Sequence, residues 1–301
     1  MALNEPITEL RVQRAVDVPL HEVSGICLMR CREHEGFLLA VGDRSAKVAS
    51  LLLSRENIES PEWQKFDLSD FDGPQLDEDD SQIEAICGDG AGRVLLMRES
   101  PPRAGLFDLE ASRALSAIEL VVEGADEIAK SWADPDGSRG EGAVLLPSGH
   151  LLVAKEKGPA ALIEFGPKGS TPRGFSRGGG LQDGERWPLP QGERLRFVAL
   201  ARWVPDKDLR SVCGDFSDME IGPDGRLYLL SDQSATIARI DCLEVDDPVA
   251  RPGASWSVGE LKGKPEGLAF TPDGRAIVAL DKRKKERNLV LLEPPIAPPN
   301  S

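Results

Sequence analysis

Pairs of acidic residues recur along the chain at a constant spacing. The two members of each pair are 15 residues apart, and a glycine follows the first member after eight residues. The pairs are Glu84 and Glu99, Glu141 and Glu156, and Glu266 and Asp281. Carboxylate oxygens are the ligands that Ca²⁺ and Mg²⁺ prefer, and carboxylates also act as general bases. The pairs therefore indicate either a site for a divalent cation or a set of ion pairs with nearby lysines and arginines.

Two further stretches share this register, which makes five copies and a strong internal repeat. Ser217 and Asp232 are 15 residues apart, and Ser24 and Asp43 are 19 apart because four residues are added in the turn. We call the residues that open the repeats the first ring: Ser24, Glu84, Glu141, Ser217 and Glu266. We call the residues that close them the second ring: Asp43, Glu99, Glu156, Asp232 and Asp281.

The glycine in each copy stands between two apolar runs, which is typical of a tight β-hairpin. In KPEGLAFTPDGRAIVALD, residues 264–281, a two-residue turn at Asp273-Gly274 places Glu266 directly opposite Asp281. Like charges that face each other across two strands are unfavourable. This register therefore predicts that solvent, a proton, a basic side chain or a bound cation offsets the charge.

The repeat also predicts the fold class, which is all-β. The first-ring residues are 60, 57, 76 and 49 residues apart, and each interval contains strand-like segments for a four-stranded meander. The fifth interval is one strand short, and Ile7–Val16 can return to supply that strand. A ring closed in this way leaves few exposed sheet edges. We therefore expect a single β-propeller over residues 1–301, with five blades at about 19–72, 82–125, 138–204, 212–262 and 264–296 plus 7–16.

The long third interval contains a stretch rich in glycine, proline and charge, Gly166–Glu193. We interpret it as a removable loop over one face, and the alternative is a hidden sixth blade. The best short helical segment is Gly124–Asp134.

The connectivity of a propeller places both rings at one mouth of the central channel. The predicted metal ligands are Glu84, Glu141 and Glu266. The predicted catalytic residues are Glu99, Glu156 and Asp281. The predicted ligand-binding residues are Arg98, Lys155, Lys157 and Lys282. The competing interpretation is that the same side chains form inter-blade ion pairs.

Composition limits the partners and the compartment. The formal net charge of −15 excludes nonspecific binding to nucleic acid or to an anionic membrane. No apolar run of about 18 residues and no secretory signal occur, so we expect a cytoplasmic protein. The five cysteines follow no zinc-site spacing, and we interpret them as mostly buried thiols.

The segment EGAVLLPSGHLLVAKEKGPAALIEFGP, residues 141–167, resembles a blade of the phytase-like propeller family, also described as "esterase-like activity of phytase". The segments EVSGICL, SQIEAICGDGAGRVLLMRES and KPEGLAFTPDGRAIVALD are similar to its other blades. Strictosidine-synthase-like and lactonase-like propellers share the Glu-Gly and Pro-Asp-Gly elements. The resemblance implies calcium-assisted hydrolysis of a phosphoester or ester.

We therefore expect a hydrolase of a phosphoester, ester or lactone, with Ca²⁺ or Mg²⁺ at the acidic mouth and a small anionic substrate. The alternative is a non-catalytic propeller that binds a protein partner or a small ligand at the same face. A third possibility is a structural scaffold.

Overall fold

The computed structural model describes residues 7–31, 34–53, 61–74, 82–134, 138–259 and 261–295. Its strands form five antiparallel four-stranded meanders, which we call blades 1 to 5. Blade 1 contains Val23–Cys31, His34–Gly42, Ser45–Leu52 and Gln64–Asp67. Blade 2 contains Ile83–Gly88, Arg93–Arg98, Arg103–Asp108 and Arg113–Val121. Blade 3 contains Gly140–Leu145, Leu151–Lys155, Ala161–Pro167 and Arg194–Pro205.

The remaining blades complete the set. Blade 4 contains Asp218–Ile221, Leu227–Ser231, Thr236–Ile240 and Pro252–Ser257. Blade 5 contains Lys264–Phe270, Ala276–Asp281, Leu289–Leu292 and the N-terminal strand Val12–Val16. The first strand of each blade contacts the first strands of both neighbouring blades, and blade 5 contacts blade 1. This closed cycle confirms the expected all-β propeller class, and the number of meanders equals the number of blades expected. The organisation of residues 1–301 as one domain stays a prediction.

The N-terminal segment closes the ring as expected, but it does so in two parts. Val12–Val16 pairs antiparallel with Leu289–Leu292 of blade 5. Thr8–Glu9 instead pairs parallel with the outer strand of blade 4, and Leu10 between the two parts is buried. The segment therefore joins blade 5 to blade 4 as well as completing blade 5.

The hairpin turns are longer than the sequence analysis assumed, and the two-residue turn is wrong. In blade 5 the backbone N–H of Thr271 donates to the carbonyl oxygen of Arg275 at 3.0 Å, and that of Gly274 donates to Thr271 at 2.9 Å. The loop is thus Pro272-Asp273-Gly274, with Gly274 at a φ of 85°. Glycine tolerates this left-handed conformation, which ends a three-residue hairpin loop. The extra residue shifts the register of the two strands by one.

The segment 168–193, which we call the strap, contains no additional blade. Its one strand is Phe175–Ser176, which pairs with Cys242–Leu243. A further short strand outside the strap, Val249–Ala250, pairs with the outer strand of blade 3, Arg194–Pro205. Phe175 and Trp187 are buried in the cores of the neighbouring blades. The expectation of a loop that can be removed is therefore wrong, because the strap supplies large core side chains.

Three hydrogen bonds fix the strap to the hairpin turns of two blades. The backbone N–H of Gly178 donates to Gly225 in blade 4, and that of Gly184 donates to Gly90 in blade 2, both at 2.7 Å. The backbone N–H of Trp187 donates to Oδ2 of Asp89 at 3.1 Å. The strap consequently crosses the turn side of the channel.

Helices are short and lie between blades. The expected segment Gly124–Asp134 forms α1, Glu127–Ala133, and the side chain of Asp126 caps it by accepting from the backbone N–H of Ala129. A second helix, α2, spans Lys207–Val212, and a 3-10 turn spans Leu68–Asp70. Within the described ranges, neither helix is long and apolar enough to cross a membrane.

Candidate functional site

Acidic residues of both rings line one cavity at the open end of the hairpins, although Glu99 and Asp232 do not line it. Its volume is about 240 Å³. The lining residues are Glu22, Ser24, Asp43, Glu84, Glu141, Glu156, Lys264, Glu266 and Asp281. We call this cavity the acidic mouth. Carboxylates from four of the five blades thus face the same volume, as the repeat predicted.

Four of the five first-ring residues share one local structure, a β-bulge at the start of the first strand. Glu84, Glu141 and Glu266 are each skipped by the pairing of their strand with the next one. Ser24 occupies the same position in blade 1. A bulge adds one residue to a strand and re-aims its side chain. The bulges are therefore what turn these side chains towards the channel mouth.

The bulge also removes the opposed acid pairs that the sequence analysis expected. Asp281 pairs with Lys264. The backbone N–H of Glu99 donates to Gln82, and that of Glu156 donates to Arg139. Glu99, Glu156 and Asp281 are thus opposite a neutral or cationic residue, and the direct pairing of like charges predicted for them is wrong. Asp43 differs, because its backbone N–H donates to the carbonyl oxygen of Glu22 at 3.2 Å.

Burial and mutual repulsion raise the pKa values of the first-ring glutamates. Burial, followed by the charges of Glu99 and Glu266, raises the pKa of Glu84 to about 8. Burial and then the charge of Asp281 raise the pKa of Glu266 to about 7. Burial and then the charge of Glu84 raise the pKa of Glu141 well above its usual range. The mouth therefore retains protons at neutral pH when no cation is bound.

The two serines of the first ring have a structural role. The hydroxyl of Ser24 donates to the carbonyl oxygen of Ile83 at 2.5 Å, which joins blade 1 to blade 2. The hydroxyl of Ser217 donates to Pro265 at 2.8 Å and joins blade 4 to blade 5. Both are buried. Their side chains thus tie adjacent first strands together at the level of the acidic mouth.

The four predicted ligand-binding residues do not line the acidic mouth. Lys155 is fully buried and donates to the backbone carbonyl of Lys157, and burial lowers its pKa to about 8. Lys157 forms an ion pair with Glu156. Lys282 donates to the carbonyl oxygen of Arg287 at 2.7 Å, and Arg98 is buried at the end of its strand. Their role in binding an anion stays a prediction.

Three residues of the site were missed by the sequence analysis. Glu22 and Lys264 line the mouth, and Glu22 forms an ion pair with Arg44. Arg139 is buried, and its backbone N–H donates to the carboxylate of Glu99 at 3.2 Å. All three stand two residues before a first-ring position. Extending the repeat by two residues towards the N-terminus would have found them.

The oxygen ligands of the mouth are of the kind that a hard cation prefers, but they are not close enough together to coordinate one as they stand. Seven of the nine lining residues are carboxylates, which favour Ca²⁺ or Mg²⁺ over softer metals. In the described part of the chain, no three acidic, histidine or cysteine side chains are grouped closely enough to hold a metal ion. Carboxylates would therefore have to turn inward to coordinate a cation.

Neither a family model nor a curated protein matches the chain. Among solved structures, glutaminyl cyclase from Myxococcus xanthus is similar at 12% identity and a TM-score of 0.53, over 96% of this chain and 98% of that one. The calcium-binding protein regucalcin from Agrobacterium tumefaciens has 15% identity and a TM-score of 0.49, over 98% of both chains.

A Bacteroides caccae protein of unknown function has 17% identity and a TM-score of 0.40. The match covers 81% of this chain, which spans 65% of the length of that one. The structural neighbours are β-propeller proteins. At 12% identity the likeness to glutaminyl cyclase, with its TM-score of 0.53, supports the fold alone. Together with the closed cycle of first strands, it assigns the chain to the β-propeller fold without a family.

Proposed function

We propose that the acidic mouth binds a divalent cation, Ca²⁺ or Mg²⁺, and hydrolyses a small ester or lactone beside it. The observation that carries the proposal is the set of three equivalent bulges, which direct Glu84, Glu141 and Glu266 towards one cavity. These three residues would hold the cation. When bound, the cation would polarise the substrate carbonyl and make a water more acidic.

The contacts of the second-ring acids favour Asp281 as the general base. The carboxylate of Glu156 is paired with Lys157, and that of Glu99 accepts from the backbone N–H of Arg139. Asp281 lines the mouth directly. A carboxylate in this position can accept a proton from a water that attacks the substrate.

The charge of the mouth favours an uncharged substrate over a phosphoester. Lys264 is the one basic residue among the described residues that line it. An anion would be repelled by the surrounding carboxylates unless the cation compensated for them. We therefore expect an ester or lactone to be turned over faster than a phosphate monoester.

The experiment combines calorimetry and turnover on chelator-treated protein. Titration with CaCl₂ and with MgCl₂ measures binding, and p-nitrophenyl acetate, a γ-lactone and p-nitrophenyl phosphate measure hydrolysis. We expect cation-dependent hydrolysis that Asp281→Asn removes and that Asp246→Asn, an exposed acid remote from the mouth, retains. Cation binding without turnover of any substrate would leave the alternative, a non-catalytic binding propeller. Absence of any heat of binding would refute the cation site.

A further inference from the structure

A second cavity lies next to blade 3, at the mouth end of the propeller. It has a volume of about 530 Å³, which is within the range of small-molecule sites. Its walls come from residues 126–128, 157–160, 204–205, 210 and 213–214. We call this cavity the side groove. The cation site and the general base of the proposed function do not use it.

The side groove and the acidic mouth are neighbours. Residues 157–160 follow the second strand of blade 3, and residues 210–214 lead into the first strand of blade 4, so both belong to the end of the propeller where the mouth lies. Lys157 joins the two cavities directly. It lines the groove, and its ammonium group forms an ion pair with Glu156, which lines the mouth.

The backbone between the two cavities is held in place by hydrogen bonds from below. The buried ammonium group of Lys155 donates to the carbonyl oxygen of Lys157. The backbone N–H of Phe216 donates to the carbonyl oxygen of Glu156 at 3.2 Å. The wall that separates the groove from the mouth is thus formed before a ligand arrives, which reduces the ordering cost of binding.

The walls of the groove suit an uncharged apolar ligand. Half of the twelve lining residues are apolar, namely Ile128, Pro159, Ala160, Val204, Pro205 and Cys213. The backbone N–H of Val204 already donates to Pro248 at 3.0 Å, and the carbonyl oxygen of Pro205 accepts from Arg210 at 2.8 Å. The charged lining residues are two acids and two bases, so their formal charges cancel. A polar or charged ligand would therefore lose its hydration there without full compensation.

We propose that the side groove holds the hydrocarbon chain of the substrate whose carbonyl group lies at the acidic mouth, so that the preferred substrate is an ester of a medium-length unbranched fatty acid. This assignment rests on the proposed function and names the substrate class for it. The chain would pass Lys157 and extend along Pro159 and Val204, which is 37% exposed and therefore accessible to a ligand. Each CH₂ group that the groove buries should strengthen binding about fourfold.

The groove is tested first by binding alone, on chelator-treated protein, with heptyl methyl ketone and propyl methyl ketone, which cannot be hydrolysed. Calorimetry should give a Kd at least about tenfold lower for the heptyl compound, because four more CH₂ groups are buried. Val204→Glu should remove most of this difference. Ala160→Trp, which fills the groove without adding a charge, should do the same and provides a second test if Val204→Glu fails to fold. Val245→Glu, at an exposed valine outside the groove, is the matched control and should retain the difference.

Turnover then connects the groove to the mouth. With Ca²⁺ present, kcat/KM for p-nitrophenyl octanoate should exceed that for p-nitrophenyl acetate by at least about tenfold, and Val204→Glu should abolish this preference. Chain-length selectivity of the ketones without turnover of either ester would support the groove and refute the hydrolase. Equal Kd values for the two ketones, or equal turnover of the two esters, would overturn the proposal. A preference for the longer chain that survives in both groove variants would also overturn it.

Discussion

Asp281 lies directly opposite Lys264, not Glu266, in the first two strands of blade 5. The ammonium group of Lys264 is also 3.8 Å from Oε1 of Glu266. One lysine thus stands between an acid of each ring. Its charge lowers the pKa of Glu266, against the larger upward effects of burial and Asp281.

Replacing this lysine should strengthen cation binding. Lys264→Gln removes a positive charge from the wall of the acidic mouth, so a divalent cation meets less repulsion there. At pH 8.5, where protons compete least, we expect the calorimetric Kd for Ca²⁺ to fall by several-fold. Lys262→Gln, an exposed lysine just before the strand, is the matched control. An unchanged Kd in Lys264→Gln would show that the cation binds elsewhere.

Calcium should stabilise the folded protein through the first-ring glutamates. A ligand at 100 times its Kd adds about 2.7 kcal/mol to the free energy of unfolding. We expect millimolar CaCl₂ to raise the Tm and chelator to lower it, and the triple variant Glu84→Gln, Glu141→Gln and Glu266→Gln to lose the response. Differential scanning calorimetry measures both effects.

The control for this experiment replaces three exposed acids, Glu110, Glu193 and Glu244, with glutamine, and it should retain the calcium response. Without calcium, the first-ring triple variant should be at least as stable as the wild type, because the repulsion among its carboxylates is gone. A triple variant that is weakened, in a protein that calcium does not stabilise, would support the ion-pair interpretation instead.

The stability of the cation-free protein should fall as the pH rises. The pKa values of Glu266 and Glu84 rise from 4.5 to about 7 and about 8 on folding. The folded state therefore holds more protons than the unfolded state between about pH 4.5 and 8, and linkage makes these groups increasingly unfavourable to folding across that window. Urea unfolding in chelator at pH 5.5 and pH 8 measures the difference. In the double variant Glu84→Gln and Glu266→Gln, the free energy of unfolding should change less between these two pH values. An equal change in the variant and the wild type would show that these glutamates do not cause the pH dependence.

The N-terminal strand should be essential for a stable ring. Deleting residues 1–16 removes the outer strand of blade 5 and the buried Leu10, and it exposes the edge of Leu289–Leu292. We expect a large fall in Tm by circular dichroism. Gln13→Asp, at an exposed position of the same strand, should change the Tm little. A truncated protein that melts with the full-length one would contradict closure by this strand.

Trp187 should anchor the strap to the core of the propeller. Its side chain is 1% exposed and donates from Nε1 to the carbonyl oxygen of His150 at 3.3 Å. Trp187→Ala should lower the free energy of unfolding by roughly 3–5 kcal/mol, because it opens a cavity in the core. Arg186→Ala, at an exposed neighbour, should change it by less than about 0.5 kcal/mol. If the two substitutions change the free energy of unfolding equally in urea, Trp187 does not anchor the strap, and the strap is a surface loop.

The repeat in the sequence by itself determined the fold class, the closing strand and seven of the nine residues that line the mouth, whereas Glu99, Ser217 and Asp232 do not line it. These features follow from the 15-residue spacing and the apolar runs, which are local properties of the chain. The spacing could not reveal which residues face each other, because a three-residue turn and a bulge each shift the register by one. Both depend on backbone conformations that are selected when the first strands pack around the channel.

Only the tertiary structure determined the burial of the strap and the contacts of the basic side chains. Trp187 and Phe175 stand in a segment without apolar periodicity, and they are buried because blades 2, 3 and 4 leave space for them. Lys155 and Lys282 are adjacent to acids in the sequence, yet each donates to a backbone carbonyl oxygen. Sequence proximity brings charges near each other, but the direction of a long side chain depends on which oxygen atoms the fold places within its reach.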